Sequence, residues 1–274
     1  MTVGHLVRPV DTTAHELKRR FALGAVWIAI GLFVGMLLFL EVGRQLGEHQ
    51  LTLLGTEGRH GIGVVDGVVF SLTALLIGFA FSGATSRFDH RRQLIVNEVH
   101  ASGIAWQRID TLTADLQGGV RGSFRHYIDE LIEWYAEATG DALREPAGVS
   151  GAHHELWSRA VAACVTPEGE KARMLLLPSL NEMFGAVEKE RLARRLHPPR
   201  IIYVMLVISG MASALFAGYA LAGGPNRPWL YMGGVATAIA VAMFVILQLE
   251  FPRLGLIGVD EMDQALVELR ATMG

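Results

Sequence analysis

The chain has one cysteine, Cys164, in 274 residues. A single thiol excludes an intramolecular disulfide and provides no ligand cluster, so its ordinary reading is a small core residue. Histidine offers no metal site either. The one local cluster, His153-His154-Glu155, sets adjacent rings about 100° apart on a helix, so they cannot converge on one ion. The sequence lacks a G-x-S-x-G elbow, a Walker loop, a C-x-x-C pair and any paired carboxylates inside an apolar run. Glycines 55, 58, 61 and 63 follow no strand pattern, which argues against a phosphate cradle. The chain therefore reads as a non-enzyme without metal or cofactor. A net charge of only −3 gives no reason to expect a nucleic-acid partner.

What the chain has in quantity is apolar surface. Hydrophobic residues make up 51% and charged residues 19%, and the apolar ones are concentrated. Phe21 to Leu40, Gly67 to Ser86, Ile201 to Gly224 and Trp229 to Leu249 each contain no charge. About twenty helical residues cross a hydrocarbon core of about 30 Å. Four such runs define a multi-pass membrane protein. The first run follows Lys18, Arg19 and Arg20, as a signal peptide would. It is longer than a typical signal core, and Gly43-Arg44-Gln45 is a poor cleavage site, so it reads as a retained helix.

These runs divide the chain. Residues 1–20 form an arm, with a helix expected from near Thr13. Residues 41–63, rich in glycine, read as an outer loop between the first two spans of the 21–86 segment. Residues 87–200 form the one sizeable water-exposed region. The segment 201–250 holds the third and fourth spans, joined by a tight turn at "GGPNRP", 223–228. The tail, 251–274, begins with Phe251-Pro252-Arg253 and carries a short amphipathic helix at about 259–272. Lysine and arginine crowd one side: Lys18 to Arg20, then Arg87, Arg91 and Arg92, then Arg191, Arg194, Arg195 and Arg200, then Arg253. The other side has Arg44, Arg59 and Arg227. The positive-inside rule then places both termini and the 87–200 region in the cytoplasm of an inner (plasma) membrane protein.

Within 87–200 the periodicity is helical. Leu94, Ile95, Val99, Ala105, Trp106, Ile109 and Leu112 recur at spacings of three and four. A second helix, about Asp115 to Tyr135, carries Val120, Phe124, Tyr127, Ile128, Leu131 and Ile132 on one face. Residues 139–152 read as a loop, with a third helix from near His154. A fourth starts around Thr166-Pro167-Glu168 with Thr166 as N-cap, and Pro178 must kink or break it. No strand pattern and no repeat is present. The expected fold is an all-α membrane protein: four transmembrane helices, with a cytoplasmic helical bundle between helices two and three.

Ionisable residues inside a membrane are functional candidates by default, and here they are few. Asp66 stands at the outer start of span two; Glu41 and Glu250 stand at span ends, where each can also be simply wet. Span two carries two rows. Ser71, Gly78 and Ser82 recur on one face, which suits either close helix packing or a polar pore lining. Phe70, Ile77 and Phe81 recur on a neighbouring face; contributed by several subunits, they would form an apolar constriction. A single four-span chain cannot enclose such a path, whereas a cyclic homo-oligomer can. Past Ser86, Arg87, Arg91 and Arg92 serve either as a positive-inside anchor or as an inner vestibule that concentrates anions. Glu98, Arg108, Asp110, Asn181 and Glu182 read as contacts that hold the bundle together or sense a stimulus.

The stretch "LLIGFAFSGATSRFDHRRQLIVNE", 75–98, with "LLPSLNEM" at 176–183 and "HPPR" at 197–200, resembles the bestrophin-like domain family of bacterial membrane proteins over roughly residues 63 to 250. The resemblance implies four spans with a cytoplasmic helical insert. True bestrophins are pentameric anion channels of the same gross topology, with apolar side chains of the second span forming the neck. By that analogy the chain is expected to be a homo-oligomeric, pentamer-favoured channel, with the lipid bilayer and inorganic ions as its other partners. No acidic cluster matches a calcium clasp, so calcium gating is not implied. The alternative reading is a non-conducting membrane scaffold or sensor whose cytoplasmic bundle binds a protein partner.

Overall fold

The computed structural model describes residues 12–54, 62–137, 146–194, 198–224, 229–250 and 260–274. These residues fold into helices α1 (Thr12–Leu54), α2 (Ile62–Arg108), α3 (Ala114–Glu137), α4 (Ala147–Val165), α5 (Glu170–Arg194), α6 (Arg200–Ala220), α7 (Trp229–Glu250) and α8 (Asp260–Ala271), with a 3₁₀ turn at Ile109–Thr111. They form two compact units. One comprises residues 19–87 and 198–251, the other residues 1–18, 88–197 and 252–274.

The first unit contains helices long and apolar enough to cross a membrane. The candidate spans are Leu23–Leu53, Asp66–Thr111, whose residues from 88 on belong to the other unit, Arg200–Ala220 and Met232–Glu250. In hydrocarbon a helix satisfies its own backbone, and association relies on close packing because lipid is as apolar as leucine. The α1–α6 contact shows this. A Cβ on Gly43 would overlap the Leu215 carbonyl, and one on Gly218 would overlap the Leu40 carbonyl. Gly47 is seated in the same way against Tyr219 and Ala222, and the Tyr219 hydroxyl donates to Gln50. Toward α2, the buried Thr73 hydroxyl lies 2.8 Å from the Ser213 hydroxyl and 3.2 Å from the Ser209 carbonyl of α6.

This corrects the expectation of a loop from residue 41. The helix runs on to Leu54. Arg44 reaches back to Glu41 at 3.0 Å and forward to Glu48, the spacing that stabilises a helix in water. The glycines at 43 and 47 permit backbone approach rather than a turn. The remainder of the expected outer loop, 55–61, lies outside the described residues. At the other end of α6, Gly223 adopts φ 74°, a conformation that favours glycine. It opens the expected turn, whose positions 225–228 lie outside the described residues, as does Phe251-Pro252-Arg253.

The second unit is built on α3. Phe124, Ile128 and Leu131 are fully buried, with Leu156 of α4 and Leu176, Leu180 and Met183 of α5. Burying each such side chain contributes about 1.5–3 kcal/mol. Tyr127 stacks edge-on against Phe184 at 5.3 Å, and α8 inserts Leu266 while Arg270 pairs with Asp129 at 2.7 Å.

Three expectations shift here. α4 begins at Ala147, just after Pro146, seven residues before His154, because small residues let Val149 and Ala152 reach the core. Thr166 does not cap α5. Its hydroxyl oxygen accepts from Gly169 N in the turn that precedes the helix. Pro178 lies inside a continuous α5. It cannot donate to the carbonyl four residues back, and the neighbouring Leu175 carbonyl accepts a hydrogen bond from Arg108 at 3.1 Å.

The glycine contacts yield a direct test. Gly218→Ala should cost about 1–3 kcal/mol by forcing two backbones apart, visible as a lower midpoint in thermal unfolding of the detergent-solubilised protein. Gly31→Ala, whose Cβ would meet nothing within 4 Å, should hold or slightly raise the midpoint, since alanine is the better helix former. Equal effects from the two would refute the packing account.

Candidate functional site

α2 has 47 residues, about 70 Å of helix. Only part of it can lie in a core of about 30 Å, so the helix carries the chain out of hydrocarbon without a break. At that transition, where the apolar run ends, sits Arg87. Its guanidinium grips Glu250 of α7: Nε donates to both carboxylate oxygens at 3.2 and 3.0 Å, and Nη2 lies 2.9 Å from Oε2. The Glu250 side chain has 0% exposure, whereas that of Arg87 keeps 33%. Glu250 is therefore not a wet residue at a span end. A carboxylate buried this completely requires its counter-ion.

The other basic residues of the junction differ. Arg91 is buried at 7% exposure and is not free. Arg92 is exposed and lies over the Phe88 ring at 5.9 Å. So Arg92 presents an unburied positive charge, and Arg87 is matched by a carboxylate.

The two rows of span two diverge. Ser71, Gly78 and Ser82 are exposed, opposite the buried side where Thr73 and Ala84 pack. The Ser71 hydroxyl donates to the Gly67 carbonyl of its own helix at 2.8 Å. Phe81 is 44% exposed and Phe70 38%, while Ile77 is half-buried. Phe70 and Asp66 both wall a cavity within their own unit, shared with Met36, Leu40, Ser213 and Met232.

Glu98, Arg108 and Asp110 each touch a partner among the helices of 88–197. Glu98, 1% exposed, accepts from the Tyr135 hydroxyl at 3.0 Å on each oxygen. Arg108 reaches Leu175, and Asp110 pairs with Arg121. Asn181 and Glu182 are exposed instead of facing another helix of this chain. The apolar residues on either side of them, Leu180 and Met183, take buried positions. Sequence reasoning missed Tyr135 and Glu190 as polar partners. Glu190 is buried and paired with Arg194 at 2.6 Å, and Arg194 lies 4.6 Å from the Tyr135 ring centre. His153 stacks on Phe184 at 3.8 Å, which accounts for it as a packing residue.

Two measurements follow. Arg87→Met removes the counter-ion of a buried carboxylate and should cost about 3 kcal/mol, the lower end for a broken buried pair because Arg87 is partly hydrated. The double change Arg87→Met with Glu250→Leu should recover most of that loss in thermal unfolding; no recovery would refute the pairing. Burial, then the negative charge of Glu98, pushes the Tyr135 phenol well above the ordinary value of about 10. Its neutral form is therefore favoured by folding, a stabilisation complete below that value and lost as pH rises through the folded-state pKa. In ultraviolet titration of the folded protein, Tyr135→Phe should leave the absorbance change between pH 9 and about 11 unaltered. A smaller change in the variant would show that Tyr135 ionises freely.

A family model for the bestrophin-like domain matches residues 57–262. No curated protein gives a significant match. Among solved structures, a bacterial bestrophin homologue from Klebsiella pneumoniae carrying a tryptophan-to-alanine mutation superposes with a TM-score of 0.61 at 13% identity, covering 89% of this chain and 98% of that one. At that identity the structural likeness speaks for the fold alone, and the fold agrees with the family match over three quarters of the sequence: the chain belongs to the bestrophin-like domain family.

Proposed function

We propose that this chain assembles as a homo-oligomer, five copies favoured, and conducts inorganic ions across the inner membrane with α2 facing the path. The observation that carries this is the nakedness of α2. Of its most apolar window, 11% is buried within the chain, against 22%, 28% and 39% for the other spans. The uncovered side includes Leu72, Leu75, Phe79 and Phe81, which lipid would tolerate. It also includes Ser71, Gly78 and Ser82, which suit water or a close neighbour better than hydrocarbon. A ring of copies supplies both.

In this reading Phe81 and Ile77 narrow the path, with Phe70 beside them, and Ser71 and Ser82 face water. Asp66 belongs to the outer end. Arg87, Arg91 and Arg92 belong to the inner end, where both termini and the helices of 88–197 lie in the cytoplasm by the lysine and arginine distribution. The anion preference rests on Arg92 and on family resemblance, since Arg87 is countered by Glu250.

The test is flux from liposomes containing the purified protein, with opposing chloride and potassium gradients and Phe81→Ala beside wild type. Chloride flux that rises several-fold in Phe81→Ala is expected. Potassium-selective flux would keep the channel and overturn the anion preference. No flux from an intact oligomer of either protein would overturn conduction and favour a non-conducting scaffold whose helices at 88–197 bind a partner.

A further inference from the structure

The membrane unit holds a cavity of about 310 Å³ walled by helices of a single chain. Its walls come from α1, α2, α6 and α7: Met36 and Leu40, Asp66 and Phe70, Ser213, and Met232. All but two of these six are apolar. Asp66 Oδ1 is buried and has no hydrogen-bond partner among the described residues. The cations of this unit nearest in sequence within the described residues are committed elsewhere, Arg44 to Glu41 and Glu48 and Arg87 to Glu250. A buried carboxylate oxygen without a partner is costly on an apolar wall, even in a residue that keeps partial exposure, and in a membrane protein it marks a site for an opposite charge.

The geometry points to a binding site for an ammonium group carried on a compact apolar body, with Asp66 as its counter-ion. An ammonium brings three N–H donors and a full positive charge to the orphaned oxygen. The sulfur and aliphatic side chains of Met36, Leu40 and Met232, with the Phe70 ring, suit a carbon skeleton. Other classes fit worse. An anion would face Asp66. A neutral hydrocarbon would leave Oδ1 unsatisfied. A bare divalent cation needs six or more oxygens, and this wall offers one carboxylate and the Ser213 hydroxyl. The volume is at the small end of ligand sites, about 300–1,000 Å³, which suits one ring or a short chain. The ammonium can arrive on a free amine or as the headgroup of an ethanolamine lipid.

Benzylammonium is a suitable probe, with benzyl alcohol as its uncharged counterpart. Binding to the full-length protein in phosphatidylcholine nanodiscs is read by ligand-observed NMR, independently of any ion flux. Wild type should bind benzylammonium at least about tenfold more tightly than the alcohol, as a charge-assisted hydrogen bond implies. Asp66→Asn should remove that difference and leave the alcohol unchanged. Ala214→Leu, which fills the cavity from α6 with Asp66 intact, should weaken both probes and covers the case in which Asp66→Asn does not fold. Weaker benzylammonium binding in discs containing phosphatidylethanolamine would identify the lipid headgroup as the occupant; unaltered binding would identify a free amine. Equal binding of the amine by wild type and Asp66→Asn, or no effect of Ala214→Leu on either probe, would overturn the site.

Discussion

Glu250 is a carboxylate with no exposed surface at the end of an apolar helix, and Arg87 closes on it from α2 as its counter-ion. Charge near hydrocarbon must be neutralised in place. That requirement ties α7 to α2 where the uncharged run of α2 gives out. It also removes Arg87 from the set of charges free to act on a passing ion. The continuous backbone hydrogen bonding of α2 then carries the chain on to Arg108, so residues of one helix belong to both compact units.

The rest of the membrane unit follows from weaker forces. Without a hydrophobic drive between helices in lipid, contact depends on how closely backbones approach and on paired hydroxyls. Gly43, Gly47 and Gly218 provide the first, Thr73 and Ser213 the second. These contacts engage α1 with α6 and one side of α2 with α6. The opposite side of α2 stays uncovered, and the proposal of an oligomeric path is built on that surface.

Much of the fold was legible because its signals are local. Uncharged runs long enough to cross a bilayer reveal spans without reference to neighbours, and the apolar face of α3 from Val120 to Tyr135 reads directly from its spacing. The misreadings share a cause. Glycines 43 and 47 looked like loop residues because glycine breaks an isolated helix; packed against α6, they are what permits contact. Small residues before His154 looked like a loop for the same reason, yet Val149 and Ala152 are core. Asn181 and Glu182, expected to face another helix, are exposed, and the buried positions beside them belong to Leu180 and Met183.

What the sequence by itself determined is the class and membership of the chain: helical, four apolar spans, basic residues crowding one side, and the family shown by residues 57–262. The first three depend on composition and on periodicity along one helix, the last on residue-by-residue likeness to the family. Tertiary structure alone decided which charges meet. Arg87 and Glu250 are 163 residues apart in sequence, Glu98 and Tyr135 37 apart, and Asp66 Oδ1 is buried with no hydrogen-bond partner among the described residues. Pairing energies depend on distance and burial in three dimensions, and no one-dimensional pattern encodes either.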